Sequence, residues 1–200
     1  MQKKDYELVV ELALAGERQD GKFRGLRKQW KEYRYTAYQR LGNRAAQRDL
    51  AMDFILYGSF EHYLELKSTY EPEEWRSVYP GIISQLEKDK KADSSLYISI
   101  LIEEGEWQRL LAYVKKHPRL IEYFYKYLVS KYKEEVYDLF IQYIEHTAAW
   151  ANNRGGYQRV CELIKLLKKA GGRKEAQEFK QQLLEKYPRK RALKDELSRV

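Results

Sequence analysis

A short pattern recurs four times along this chain: a glycine, any residue, an aromatic, two more residues and an apolar residue. The copies are Gly21-Lys-Phe23-Arg-Gly-Leu26, Gly58-Ser-Phe60-Glu-His-Tyr63, Gly105-Glu-Trp107-Gln-Arg-Leu110 and Gly155-Gly-Tyr157-Gln-Arg-Val160, spaced 37, 47 and 50 residues apart. Apolar helical runs precede the glycines, such as Tyr6 to Leu14, Leu50 to Tyr57 and Leu96 to Ile102. A glycine closes a helix in a left-handed cap, and an aromatic placed early in the next helix packs back over the turn. Each copy therefore predicts a helical hairpin, and hairpins that cannot bury their apolar faces alone must stack on neighbours. The expected fold is all-α: a right-handed α-solenoid of helical hairpins, tetratricopeptide-like but irregular, because the spacing departs from units of about 34 residues. An irregular helical bundle with glycines at ordinary helix ends is the alternative.

Stripes at three- and four-residue spacing support helices throughout. Phe23, Leu26, Trp30, Tyr33, Ala37 and Leu41 form one; Trp107, Leu110, Leu111 and Val114 a second; Val136, Leu139, Phe140, Tyr143 and Ile144 a third; Val160, Leu163, Ile164 and Leu167 a fourth. Leu96 to Ile102 has strand-like composition, but a lone strand would lack a partner, so it reads as a buried helix. Pro118 and Pro188 suit first-turn positions, where a missing N–H costs nothing, and Pro80 is expected to divide a helix holding Trp75 from one holding Ile82, Ile83 and Leu86. Residues 1–200 read as a single helical-repeat domain with a soft boundary at the polar stretch 88–95. The helical start and end of the chain would suit a piece of a longer protein.

The formal charge of +8 is unevenly spread: residues 1–50 carry 12 basic against 7 acidic side chains and residues 151–200 carry 14 against 6, so both ends are basic. Arg24, Arg27, Lys28, Lys31 and Arg34 recur at helical spacing and are the candidate binding residues. Such a stripe attracts phosphates by counterion release, whereas the plainer reading is a solvated face. Lys168 and Lys169 suit a helix C-terminus ahead of the Gly171-Gly172 stop, and Glu175, Glu178 and Glu185 stand at pairing distance from neighbouring bases. Tyr123, Tyr125, Tyr127, Tyr132 and Tyr137 crowd one stretch; they could line a groove, but rings at this density more often serve as half-buried spacers with a wet hydroxyl.

Reactive chemistry is sparse. His62, His117 and His146 are isolated from one another and begin no metal-binding pattern. Cys161 lies between Val160 and Leu163 on an apolar stripe and reads as a packed thiol. Gly171-Gly172-Arg-Lys lacks the flanks of a phosphate loop. No catalytic residue, cofactor or metal is expected. The longest largely apolar stretch, Leu96 to Ile102 with Ser99 inside it, falls well short of the roughly 20 residues of a membrane span. Polar residues follow Met1, so no signal peptide and no membrane partner are expected. A single cysteine points to a reducing, cytoplasmic setting.

The stretch Leu41 to Lys67, the pair Glu74-Trp75 with Tyr79, and the ending Leu184 to Leu197, with its Tyr187-Pro-Arg-Lys-Arg-Ala-Leu193 run, resemble the C-terminal helical region of bacterial SWIM-type zinc-finger proteins. The resemblance implies a repeat scaffold that accompanies a DNA- or protein-binding module. The family's Cys-x-Cys and Cys-x-His zinc ligands are absent from this sequence, so no ligand role passes to any residue here. The expected function is a non-enzymatic interaction scaffold whose helical-repeat groove takes a protein or peptide partner. Phe23, Phe60, Trp107 and Tyr157 are the expected buried rings. The alternative is a nucleic-acid-binding accessory domain using basic helices 22–41 and 159–194.

Overall fold

The computed structural model describes residues 3–88 and 94–200. Among them the chain forms twelve α-helices, one 3-10 turn and no strand, so the protein is all-α. No helix among the described residues is long and apolar enough to cross a membrane. The chain divides into two compact units, Met1–Ile100 and Leu101–Val200. The soft boundary expected at 88–95 falls on residues 89–93, which lie outside the described set.

The first unit holds α1 (Lys3–Gln19), α2 (Arg24–Leu41), α3 (Arg44–Leu56), α4 (Phe60–Ser68) and α5 (Pro72–Lys88), and α6 (Ser94–Glu103) carries the point of division. Each of α1 to α4 packs on its neighbour in sequence. Gly16 sets the approach of α1 to α2: a Cβ there would lie 2.3 Å from the Trp30 indole. The indole N–H in turn donates to Asp20 Oδ2 at 2.7 Å, which fastens the hairpin. Asn43 and Ser59 cap α3 and α4 by accepting from the N–H groups of Ala46 and His62. The core gathers Phe54, Ile55, Tyr63, Leu66, Ile83 and Ile100.

The second unit holds α7 (Trp107–Lys116), the 3-10 turn Pro118–Leu120, α8 (Ile121–Leu128), α9 (Lys133–Trp150), α10 (Arg154–Lys169), α11 (Arg173–Lys186) and α12 (Arg191–Leu197). Successive helices from α7 to α11 pack together, α11 also reaches back to α9, and α12 lies on α10. The stripes read from the sequence form this core, with Leu110, Val114, Val136, Phe140, Ile144, Val160, Leu163, Ile164 and Leu167 buried. Arg154 donates to Glu196 Oε1 at 2.7 Å, tying α12 to the start of α10. That bond holds the Glu196 carboxyl below the usual carboxylate range.

Several expectations are corrected. Gly58 and Gly105 adopt the left-handed conformation that the recurring pattern requires, but Gly21 and Gly155 do not. Gly155 lies inside α10, whose cap is Asn153, so the fourth hairpin turn is an Asn cap instead of a glycine cap. The remaining left-handed positions are Gly42 and Gly171, the latter closing α10 as the double glycine predicts. Of the four pattern aromatics, Tyr157 is buried, Phe60 and Trp107 are half-buried, and Phe23 is 62% exposed at the N-cap of α2. The buried face of α2 runs through Tyr35 and Ala37, while Leu26 and Tyr33 of the expected stripe face outward. Pro80 sits within the continuous helix α5. It withholds one N–H from the Arg76 carbonyl, but Trp75, Ile82, Ile83 and Leu86 bury together and carry the helix through. Pro188 lies in the turn before α12, ahead of its first helical residue, because α12 begins only at Arg191.

Candidate functional site

Four of the five candidate residues meet around one ring. Arg24, Arg27, Lys28 and Lys31 lie on the first two turns of α2 and, with Gly25 and Tyr57, line a cleft of about 350 Å3. Tyr57 follows the last turn of α3, where its own N–H donates to the Asp53 carbonyl. The Arg24 guanidinium stands 5.2 Å from the Tyr57 ring centroid and the Lys31 ammonium 5.9 Å, both in cation–π range. Arg27 donates to the Tyr57 hydroxyl at 3.4 Å. A second depression along α1, lined by Leu14, Glu17, Arg18 and Gly21, shares Arg27 and Lys31 with the first.

The charges in the cleft are poorly matched. Lys31 pairs with Asp53 across α2 and α3, whereas Arg24, Arg27 and Lys28 make no ion pair among the described residues. The first turn of α2 contains no acidic residue, and its N-cap Phe23 makes no side-chain capping bond. Cations at a helix N-terminus oppose the positive end of the macrodipole. This cluster therefore weakens the helix that carries it, and an anion placed in the cleft would relieve both the repulsion and the dipole.

Arg34 does not join them. It forms an ion pair with Glu17 of α1 at 3.2 Å and borders a different depression beside Tyr38, Asp49 and Asp53. Tyr57 is the residue that sequence reading missed. The available signal was its place immediately before Gly58, at a turn that brings the end of α3 alongside α2.

Some basic residues of 159–194 are bonded within the fold, while Lys165, Lys168, Lys169, Arg173, Arg189, Arg191 and Lys194 make no ion pair among the described residues. Arg159 pairs with Glu122 and Glu162, and Lys186 with Glu145 at 2.6 Å. Lys180 donates to the Val200 carbonyl. Lys190 donates to the carbonyls of Ala148 and Ala151, with its ammonium 4.3 Å from the Tyr187 ring. These cations tie helices together. The tyrosine cluster is likewise dispersed: Tyr125 and Tyr137 are buried, while Tyr123 and Tyr127 are exposed.

His62 is enclosed between helices. Its Nδ1 lies 2.7 Å from Ser59 Oγ and its Nε2 3.4 Å from Glu32 Oε2, while its ring stacks on Phe54 with centroids 4.2 Å apart. A serine, a histidine and a glutamate thus meet, but the Ser59 hydroxyl also caps α4, and the group fastens α4 to α2. Burial pushes the Cys161 thiol up, away from the reactive thiolate. Among the described residues no group of three or more His, Cys, Asp or Glu side chains converges for a metal. No protein-family model, curated protein or solved structure matches the chain.

Proposed function

We propose that this chain is a non-enzymatic interaction scaffold of the cytoplasm, a right-handed α-solenoid of irregular, tetratricopeptide-like hairpins whose basic cleft on α2 docks an acidic segment of a protein partner. The return contacts of α11 to α9 and α12 to α10 support stacked hairpins. One observation carries the docking site: Arg24, Arg27 and Lys28 crowd the N-terminal turns of α2 without ion pairs among the described residues, around a half-exposed tyrosine ring. Carboxylates on an extended peptide would meet the guanidinium groups in bidentate fashion, and an apolar side chain would cover Tyr57. The resemblance to the helical region of SWIM-type zinc-finger proteins suggests that the scaffold accompanies a separate binding module.

A nucleic-acid track would use both basic regions; Arg159, Lys180, Lys186 and Lys190 of the C-terminal region bond internally, while Lys165, Lys168, Lys169, Arg173, Arg189, Arg191 and Lys194 make no ion pair among the described residues, so a direct comparison of the two ligands decides. The test is a fluorescence-anisotropy titration of a labelled Asp/Glu-rich peptide and a labelled single-stranded oligonucleotide of equal charge, at low and moderate salt. The peptide is expected to bind more tightly, to weaken with salt, and to lose about tenfold or more when Arg24, Arg27 and Lys28 are all changed to Glu. Tighter binding of the oligonucleotide at both salts would replace this reading with the nucleic-acid one, and no binding of either at low salt would remove the cleft as a site.

A further inference from the structure

A second cleft, in the unit Leu101–Val200 and separate from the docking site, has a different chemistry. It is an open cleft of about 540 Å3 where the end of α7 and the 3-10 turn face one side of α9. Lys116, His117 and Arg119 contribute from the first side and Gln142 and His146 from the second, with Pro118 and Tyr143 forming apolar wall. No carboxylate lines it. Of the nearby acidic side chains, Glu145 pairs with Lys186 and Glu122 with Arg159, while Asp138, one turn before Gln142 on α9, is exposed and does not line the cleft. One helical turn beyond His146, Trp150 is 77% exposed, its ring 6.4 Å from the imidazole.

We propose that this cleft binds a phosphate monoester carried on an aromatic body. A doubly ionised phosphate presents three strong acceptor oxygens. Lysine and arginine here supply only donors, and each imidazole offers at least one N–H. The five nitrogen-bearing side chains, Gln142 among them, converge from the two sides, so they can surround such a group instead of meeting it on a flat face. The volume exceeds what phosphate alone would fill and lies in the range of small-molecule sites. Pro118, Tyr143 and the neighbouring Trp150 provide the surface for the ester's ring.

The chain contains three histidines, which makes the test direct. Histidine-ring resonances of the full chain are followed by NMR during titration with phenyl phosphate, inorganic phosphate and phenol. Phenyl phosphate is expected to shift His117 and His146 saturably and to leave His62 still, with inorganic phosphate acting on the same two more weakly. Lys116→Glu with Arg119→Glu should weaken phenyl phosphate by about tenfold or more, and unchanged helical circular dichroism with cooperative thermal unfolding of that variant reports an intact fold. A phosphotyrosyl peptide is the further arm. Tighter binding than phenyl phosphate places the ester on a protein side chain and equal or weaker binding places it on a small molecule, both in keeping with the site. Uniform shifts of all three histidines, phenol binding as tightly as phenyl phosphate, or no saturation with phenyl phosphate would each overturn the proposal.

Discussion

Gly16 and Tyr35 show how single side chains set the geometry beside the docking cleft. At Gly16 the absence of a Cβ lets the Trp30 indole press against α1, so Gly16→Ala forces either the ring or the helix aside. Overpacking of this kind costs about 1–3 kcal/mol, and urea denaturation of the variant should show a loss of that size. Tyr35 is buried and donates to Glu65 Oε2 at 2.7 Å. Burial first, then the nearby Glu65 and Glu32 carboxylates, push its hydroxyl up to about 12, against the opposing hydrogen bond from Gln47. Because the folded state favours the neutral phenol, the stability it contributes is full below the ordinary tyrosine value of about 10 and is lost as pH rises through about 12. Tyrosinate absorbance should therefore contain one late-titrating component that disappears in Tyr35→Phe.

Among the elements, helix ends carry more information than helix middles. Asn43, Ser59 and Asn153 each satisfy an orphan N–H at the start of a helix, and replacing such a cap by Ala costs about 0.5–2 kcal/mol. Ser59→Ala should exceed Asn43→Ala, because it also removes the hydroxyl that holds His62 against Phe54 and Glu32. Chemical denaturation of the two variants measures the difference, and equal losses would mean that His62 gains nothing from the hydroxyl. Helix α2 is the opposite case at its N-terminus, with no side-chain capping bond, no acid in its first turn and cations where the dipole is already positive. An element left unoptimised in this way is where a binding surface is expected, since stability and ligand attraction pull the same residues in opposite directions.

Across the whole molecule each basic end holds both bonded and unbonded cations, and the bonded ones serve the fold. Near the N-terminus Arg24, Arg27 and Lys28 are left without carboxylates, whereas Lys190 near the other end is consumed by the carbonyls of Ala148 and Ala151 and by the Tyr187 ring. Replacing Lys190 by Met should cost stability, about 1.5–3 kcal/mol for hydrogen bonds from a charged group. It should leave affinity for the acidic peptide unchanged. Thermal unfolding paired with the anisotropy titration separates the two effects, and a Lys190 variant that unfolds normally but binds poorly would reverse the assignment.

Periodicity alone was enough to specify an all-helical chain, including α6 at Ser94–Glu103 despite its strand-like residues, because a helix satisfies its own backbone and a lone strand does not. It was also enough to identify the core stripes of α7, α9 and α10 and the cationic spacing of Arg24, Arg27, Lys28 and Lys31. The burial of Tyr35 in place of Phe23 and Leu26 was decided by tertiary packing, since α2 is apolar on more than one face and its neighbours choose which is covered. Tertiary packing also brought Tyr57 to the basic cleft, paired Arg34 with Glu17, and carried α5 through Pro80. Local pattern encodes what each segment can become, but which charges remain unmatched depends on partners tens of residues away, and only the folded chain brings those together.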